Sequence, residues 1–213
     1  MRIAIYADAE CGQGHVVRCS ALEQELLDRG HTLGYGVFTD WQDFVRGCRD
    51  WPQDAVVIDT YRPPMYEHIL APVVISIPDD IEPLGPAYAM LRPEFRKLRS
   101  DSLEMRSKGG STARRLVITS GGMSALEFAC MGVPMLVYEQ HENQRAQIAA
   151  LVEAGAAWEV SEPYWGNHWD EYCFPAKFEQ DHMAAAGMEL VDGLGCVRTA
   201  DMIEKRVEES GKQ

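Results

Sequence analysis

Short apolar segments that alternate with segments of helical spacing constrain the fold of this 213-residue chain more than any other feature. Near-continuous apolar runs are typical of parallel strands whose two faces are both covered. Intervening helical segments predict a parallel sheet with helices on both faces, the doubly wound α/β class. In the first half of the chain, strands are predicted at residues 2–7, 32–38, 55–59 and 73–77.

The second half of the chain repeats this pattern on a smaller scale. Strands are predicted there at residues 115–119, 135–138 and 156–160. Between the halves, a segment with several prolines leads into a polar stretch that begins at Arg96. We therefore predict an N-terminal Rossmann-like domain of residues 1–95, a linker of residues 96–114, and a reduced C-terminal domain of residues 115–213.

Composition excludes some classes of protein. The formal net charge of −13 argues against a nucleic-acid partner, which would favour a basic face. The six cysteines form no CxxC pair, so we expect reduced thiols and no metal site. Met1 leads directly into a predicted strand, and no apolar run reaches about 20 residues, so we expect a cytoplasmic protein without a signal peptide or membrane contact. The oligomeric state stays open.

The loop after the first predicted strand has the features of an anion site. It begins at Asp8, contains Gly12 and Gly14, and leads into a helix near His15. Glycines allow close backbone approach, and the first N–H groups of a helix point outward without partners. The His15 imidazole can transfer protons near neutral pH, and Arg18 follows one turn later on the same side. Such loops also occur for turn geometry alone, so both interpretations remain open.

Polar side chains follow most of the other predicted strands. They are Asp59, Tyr61, Asp79, Asp80, Asn143 and Gln144. The carboxyl ends of parallel strands face the ligand crevice of such sheets, where acids and amides bind hydroxyl groups and acids act as bases. Each of these residues could instead cap a loop or a helix. No histidine or cysteine stands near enough in sequence to the acids to favour a metal.

A second glycine loop contains Gly121, Gly122 and Ser124 and is followed by Glu127. The glycines would let the backbone approach a diphosphate, and the Ser124 hydroxyl and a helix N-terminus would donate to it. Glu127 could accept both hydroxyls of a ribose. The alternative is a capping box, with Ser124 as the N-cap and Glu127 three residues later, which needs no ligand.

Taken together, these motifs resemble the UDP-sugar hydrolases of pseudaminic acid biosynthesis. That family is similar in turn to the glycosyltransferases that make lipid II. The matching segments run through the chain in the family's order, at residues 2–8, 12–19, 57–61, 79–80, 88–95, 118–127, 132–134, 143–144 and 190–198. The chain is shorter than the family, with segments absent after Asp40, after Asp80 and between Phe95 and Leu116.

The resemblance implies a GT-B-like fold, in which two Rossmann-like domains face a cleft, and a UDP-sugar substrate without cofactor or metal. His15 would deprotonate a water that attacks the anomeric carbon, with Asp8 and Tyr61 also in the catalytic centre. The remaining residues would bind substrate: Gly12, Gly14, Arg18, Asp59, Asp80, Gly121, Gly122, Ser124, Glu127, Asn143 and Gln144. Two alternatives remain: a glycosyltransferase that passes the sugar to a hydroxyl acceptor, and a non-catalytic nucleotide-sugar-binding protein.

Overall fold

The computed structural model describes residues 1–11, 13–61, 69, 71–107, 116–160 and 174–212. The chain divides into two compact units. Unit 1 consists of Met1–Arg92 together with Leu194–Gln213, and unit 2 is the intervening Pro93–Gly193. The chain therefore leaves unit 1, forms unit 2, and returns to complete unit 1.

Strands and helices alternate along the chain. The strands are β1 (Arg2–Ala7), β2 (Thr32–Phe38), β3 (Ala55–Asp59), β4 (Val73–Ser76), β5 (Val117–Ser120), β6 (Met135–Tyr138) and β7 (Ala157–Glu159). The α-helices are α1 (Gln13–Asp28), α2 (Trp41–Asp50), α3 (Pro93–Ser107), α4 (Met123–Met131), α5 (Arg145–Glu153), α6 (Lys177–Leu190) and α7 (Gly195–Ser210). Short 3-10 turns lie at Ala9–Cys11, Glu82–Leu84, Pro86–Tyr88 and Glu142–Gln144, and a π-helical turn lies at Ile77–Ile81.

The sheet of unit 1 is parallel, with the strand order β2-β1-β3-β4. The chain moves from β1 outward to β2 and then crosses back to β3, so the order reverses between β1 and β3. In open α/β sheets, ligands bind beyond the carboxyl ends of the strands at such a switch point. Asp8 and Asp59 lie at these two ends.

The two faces of this sheet bury different sets of side chains. Ile3 and Ile5 of β1 pack on one face with Leu22 of α1 and Ile203 of α7, among others. The alternate residues of β1 pack on the opposite face against Phe44 of α2. Full burial of a leucine or isoleucine contributes about 1.5–3 kcal/mol, so both helical layers contribute substantially to the stability of the sheet.

Polar contacts also hold α7 against the rest of unit 1. Arg29 donates to Asp201 at 2.7 Å and forms an ion pair with Glu204 at 3.2 Å. Nε2 of His31 lies 2.7 Å from the Glu204 carboxylate. Arg206 donates to Asp80, beyond the end of β4, at 2.9 Å. The C-terminal helix is therefore an integral part of the N-terminal sheet domain.

Unit 2 has a smaller parallel sheet, with the order β5-β6-β7. Helix α4 ends at Gly132, which has a φ of 68° in the left-handed region that glycine favours. Gly187 lets α6 approach α4 closely, because a Cβ there would lie 3.1 Å from the backbone of Ala129. Arg99 of α3 donates to the Met188 carbonyl near the end of α6 at 2.5 Å.

The predicted α/β class, with two Rossmann-like parallel sheets of which the C-terminal one is smaller, is confirmed. The unit boundaries differ from the predicted ones, because residues 93–107 form helix α3 and α7 belongs to unit 1. Most of the remaining predicted linker, residues 108–114, lies outside the described residues. In the described part of the chain, no helix is both long and apolar enough to cross a membrane.

Candidate active site

The candidate site lies in unit 1, at the switch point of its sheet. Helix α1 begins at Gln13, so His15 lies in its first turn, and Arg18 follows one turn later. Both side chains are buried beside the carboxyl end of β3. Gly14 is in the first turn of the same helix. Gly12, predicted to bind substrate, lies outside the described residues.

Asp59 is the centre of the site. Its carboxylate is fully buried, and Oδ1 lies 2.7 Å from Nδ1 of His15. Arg18 donates to both carboxylate oxygens, from Nε to Oδ2 and from an Nη to Oδ1, each at 2.5 Å. This two-pronged contact fixes the plane of the carboxylate and directs one oxygen at the imidazole. Asp59, predicted to bind substrate, is therefore occupied by two protein side chains.

The charge state of this buried group follows from its neighbours. Burial by itself would raise the pKa of Asp59, but the hydrogen bonds from Arg18 and His15 hold that pKa below its ordinary value. Burial likewise opposes the charge on Arg18, but its contacts with Asp59 and Glu82 raise the pKa of Arg18 above its ordinary value. Asp59 and Arg18 are thus an ionised pair at neutral pH.

The contact with Asp59 determines which nitrogen of His15 is available. An ionised carboxylate only accepts hydrogen bonds, so Nδ1 of a neutral imidazole carries the proton and donates it to Asp59. The lone pair is then on Nε2, which has no hydrogen-bond partner among the described residues. The His15 side chain keeps 8% of its surface exposed. This is the arrangement of a general base oriented by a carboxylate.

Tyr61 and Glu82 form the outer side of the site. Oε1 of Glu82 accepts from Arg18 at 2.6 Å and from the Tyr61 hydroxyl at 2.7 Å. The Tyr61 ring packs against the His15 ring at an interplanar angle of 86°, with 5.0 Å between ring centroids. The structure thus brings together four residues predicted from sequence, namely His15, Arg18, Asp59 and Tyr61, and adds Glu82.

Asp8, predicted to be catalytic, fixes the loop beside the site. Its carboxylate accepts from the Thr60 hydroxyl at 2.8 Å and from the Glu10 backbone N–H at 3.0 Å. Its own N–H donates to the Asp59 carbonyl at 2.9 Å. These contacts join the ends of β1 and β3, so Asp8 stabilises the backbone that carries Asp59.

The acids after β4 contact Ser76 and α7, and among the described residues they make no contact with His15 or Asp59. Asp79 accepts from the Ser76 hydroxyl at 2.7 Å, and Asp80 accepts from the Ser76 N–H at 2.8 Å. Asp80 also accepts from Arg206 of α7. Asp80, predicted to bind substrate, therefore connects the π-helical turn to α7.

The second glycine loop lies in unit 2, between β5 and α4. The Gln147 amide donates to the carbonyl of Gly122 at 2.8 Å and to that of Gly121. A Cβ on Gly121 would overlap with Ile148, so close packing against α5 already requires glycine there. Around Gly122 there is space, because the nearest atom that a Cβ would meet is Nε2 of Gln144, at 3.6 Å.

The other predicted binding residues of unit 2 are Ser124, Glu127, Asn143 and Gln144. Gly122 is the N-cap of α4, and Ser124 is an exposed residue at the second helical position. The capping-box alternative is therefore wrong, because Ser124 is inside the helix. Glu127 is half-buried, and Asn143 is exposed. Gln144 accepts from the Gln140 N–H at 3.1 Å.

Sequence reasoning missed Glu82, Thr60 and Gln147, which hold the predicted residues in place. Glu82 follows the π-helical turn in a proline-containing segment, where the sequence gives no strand end to locate it. Thr60 directly follows Asp59, so its position at a strand end was the available signal. Within the described residues, no group of histidine, cysteine and acidic side chains could hold a metal, and Cys19, Cys48, Cys130 and Cys196 are buried and form no disulfide.

Fold and site together define an α/β protein with a carboxylate-oriented histidine at the switch point of a parallel sheet. No protein-family model matches the chain, and no curated protein matches it. Among solved structures, the chain is similar to the spinosyn forosaminyltransferase SpnP, at 13% identity and a TM-score of 0.46. That alignment covers 99% of this chain and 95% of the other. A likeness at this level assigns no activity to the chain.

Proposed function

We propose that this chain is an enzyme that acts on a nucleotide sugar. His15, oriented by Asp59, deprotonates a water molecule or an acceptor hydroxyl, which then attacks the anomeric carbon of the sugar. The observation that carries the proposal is the 2.7 Å contact between Nδ1 of His15 and Asp59, which leaves Nε2 without a partner among the described residues. The position of this pair at the switch point of the sheet also supports it, since ligands bind there in open α/β sheets.

In the hydrolase reaction, Nε2 of His15 takes a proton from water. The water oxygen forms a bond to the anomeric carbon, and the bond from that carbon to the diphosphate oxygen breaks, with its electron pair leaving on UDP. Asp59 stabilises the imidazolium that forms. Arg18 keeps Asp59 ionised and in the correct plane, so it acts as a positioning residue and not as the predicted sugar ligand.

The nucleotide-sugar substrate class is supported by the sequence resemblance. Within that class, we propose UDP as the nucleotide and an amino or deoxy sugar as the group it carries. For the nucleotide we propose the loop of unit 2, where Gly122 leaves space at the start of α4 and Ser124 is exposed. Binding of UDP to the Ser124→Ala variant, compared with wild type by calorimetry, tests this part separately.

The experiment that tests the catalytic assignment measures UDP release from UDP-linked amino sugars. His15→Ala should lower the rate at least about 100-fold, because a positioned general base contributes about 10²–10⁴-fold. The matched control is His182→Ala, since His182 is an exposed histidine on α6 of unit 2. Its rate should equal that of wild type. Equal rates for wild type and His15→Ala would refute the assignment.

A glycosyltransferase is the second candidate, because Nε2 of His15 can equally deprotonate the hydroxyl of an acceptor. Product analysis with and without candidate acceptors separates the two reactions. Free sugar as the product in both cases supports the hydrolase, and a sugar–acceptor conjugate supports the transferase. Tight nucleotide-sugar binding by calorimetry, with no turnover over hours, would instead indicate a non-catalytic binding protein.

A further inference from the structure

Glu82 joins two side chains of the candidate site through a single oxygen atom. Its Oε1 accepts from Nη1 of Arg18 at 2.6 Å and from the Tyr61 hydroxyl at 2.7 Å. Glu82 begins the 3-10 turn at Glu82–Leu84, beyond β4, whereas Tyr61 follows β3 and Arg18 lies on α1. One carboxylate therefore connects three separate elements of unit 1.

Of the two donors, Arg18 contacts Asp59 and Tyr61 contacts His15. Arg18 uses its other N–H groups to fix the carboxylate of Asp59. Tyr61 places its ring against the His15 imidazole at 5.0 Å. The Tyr61 side chain is at the surface, with 44% of the residue exposed, so its ring needs an anchor to stay in this orientation. The hydrogen bond to Glu82 is such an anchor.

We infer that Glu82 is a positioning residue, whose carboxylate holds the Arg18 guanidinium and the Tyr61 ring and thereby fixes the His15 imidazole through Asp59 and through the Tyr61 ring. The catalytic part of this inference rests on the proposed function of His15. The geometric part does not, because it concerns only the orientation of the ring.

A positioning role and a merely structural role predict different results. The Glu82 side chain is 34% exposed, and Arg18 keeps both of its contacts with Asp59 when Glu82 is replaced, so the loss of Glu82 should leave unit 1 folded. A misplaced base, in contrast, lowers the rate of the chemical step, since a displacement of about 1 Å can cost about 10²-fold. We therefore expect a change in kcat without a comparable change in KM or in stability.

The test compares Glu82→Ala, Glu82→Gln and Tyr61→Phe with Glu189→Ala, a control at an exposed position on α6. We expect Glu82→Ala to lower kcat about 10- to 100-fold. Glu82→Gln should restore most of it, because an amide oxygen can accept from both donors. The effects of Glu82→Ala and Tyr61→Phe should be less than additive in the double variant, because each removes the same anchor. Glu189→Ala should match wild type.

A second readout does not depend on activity. The ring-proton NMR signals of His15, assigned by their loss in His15→Ala, should move in the same direction in Glu82→Ala and Tyr61→Phe, and stay in place in Glu82→Gln. Signals that do not move in Glu82→Ala, with kcat within twofold of wild type, would overturn the inference and leave the proposed function intact. Should no substrate be turned over by wild type, the proposed function fails, and the NMR shifts alone decide whether Glu82 positions the ring.

Discussion

Replacement of Asp59 by asparagine is the perturbation that best tests the site, because this one carboxylate holds both His15 and Arg18. The substitution keeps the shape but removes the charge from a fully buried position. Breaking a buried ion pair on one side costs about 3–5 kcal/mol. In the variant, Arg18 keeps its contact with Glu82, and the asparagine oxygen still accepts one hydrogen bond. We therefore expect the free energy of unfolding to fall by an amount near the lower limit, about 3 kcal/mol.

The assay is urea unfolding and thermal unfolding of wild type and Asp59→Asn at pH 7, each followed by circular dichroism. A loss of about 3 kcal/mol corresponds to a decrease in Tm of about 6–12 °C for a chain of this size. The control is Asp43→Asn at the start of α2, where the side chain is 62% exposed and the change removes the same charge. That variant should stay within about 0.5 kcal/mol of wild type.

The difference in unfolding free energy between wild type and Asp59→Asn should depend on pH, and the direction of that dependence follows from the pKa of Asp59. The contacts with Arg18 and His15 lower the pKa of Asp59 from its ordinary 3.8 when the chain folds, although burial opposes them. The resulting stabilisation is complete above pH 3.8 and is lost as the pH falls through the lower pKa of the folded state. The gap in unfolding free energy between wild type and Asp59→Asn should therefore shrink as the pH falls below 4. Equal stability of the Asp59→Asn and Asp43→Asn variants at pH 7 would refute the buried-pair reasoning.

Three further predictions concern packing and titration in unit 1. Gly195→Ala should destabilise the protein by about 1–3 kcal/mol in urea unfolding, since a Cβ there would overlap with a neighbouring backbone carbonyl. Gly211→Ala is the control and should be neutral, because no atom lies within 3.4 Å of where its Cβ would be. The hydrogen bond from His31 lowers the pKa of Glu204 from its ordinary 4.5, so the stability that Glu204→Gln removes should be present at pH 7 and lost as the pH falls below 4.5. A difference in unfolding free energy that does not shrink between pH 4.5 and pH 3 would contradict this. Burial raises the pKa of Cys48 from 9.0 to about 11. At pH 8 its thiol should therefore react with a disulfide reagent about 100-fold more slowly in the folded protein than in urea, and the Cys48→Ser variant identifies the part of the reaction that belongs to Cys48.

The sheet and the inner part of the site were predictable from sequence for the same physical reason. Parallel strands are buried on both faces and read as apolar runs, and their carboxyl ends meet at one edge. Asp59 was therefore expected near the loop that carries His15, and the structure places them in contact. The roles within the site were less predictable, because sequence does not show that Arg18 and Asp59 form a buried ion pair with each other.

The elements that sequence reasoning placed incorrectly depend on tertiary contacts or on end effects. The proline-containing segment and the polar stretch after it predict a linker of residues 96–114, but Pro93 is the first residue of α3, where a missing N–H removes no helical hydrogen bond. The apolar spacing of α7 predicts a buried face but not the sheet that covers it. That choice depends on Ile203 and its neighbours fitting the core beside β1.

The return of the chain from unit 2 to unit 1 has a consequence for biosynthesis. Ribosomes make proteins from the N-terminus, and domains generally fold as units while the chain emerges. Unit 2 is continuous and has all its residues once Gly193 is made, whereas unit 1 still lacks the helix that carries Ile203. The unit whose synthesis begins first is thus the last to complete its hydrophobic core, and until then its nascent sheet exposes an apolar surface to which chaperones can bind.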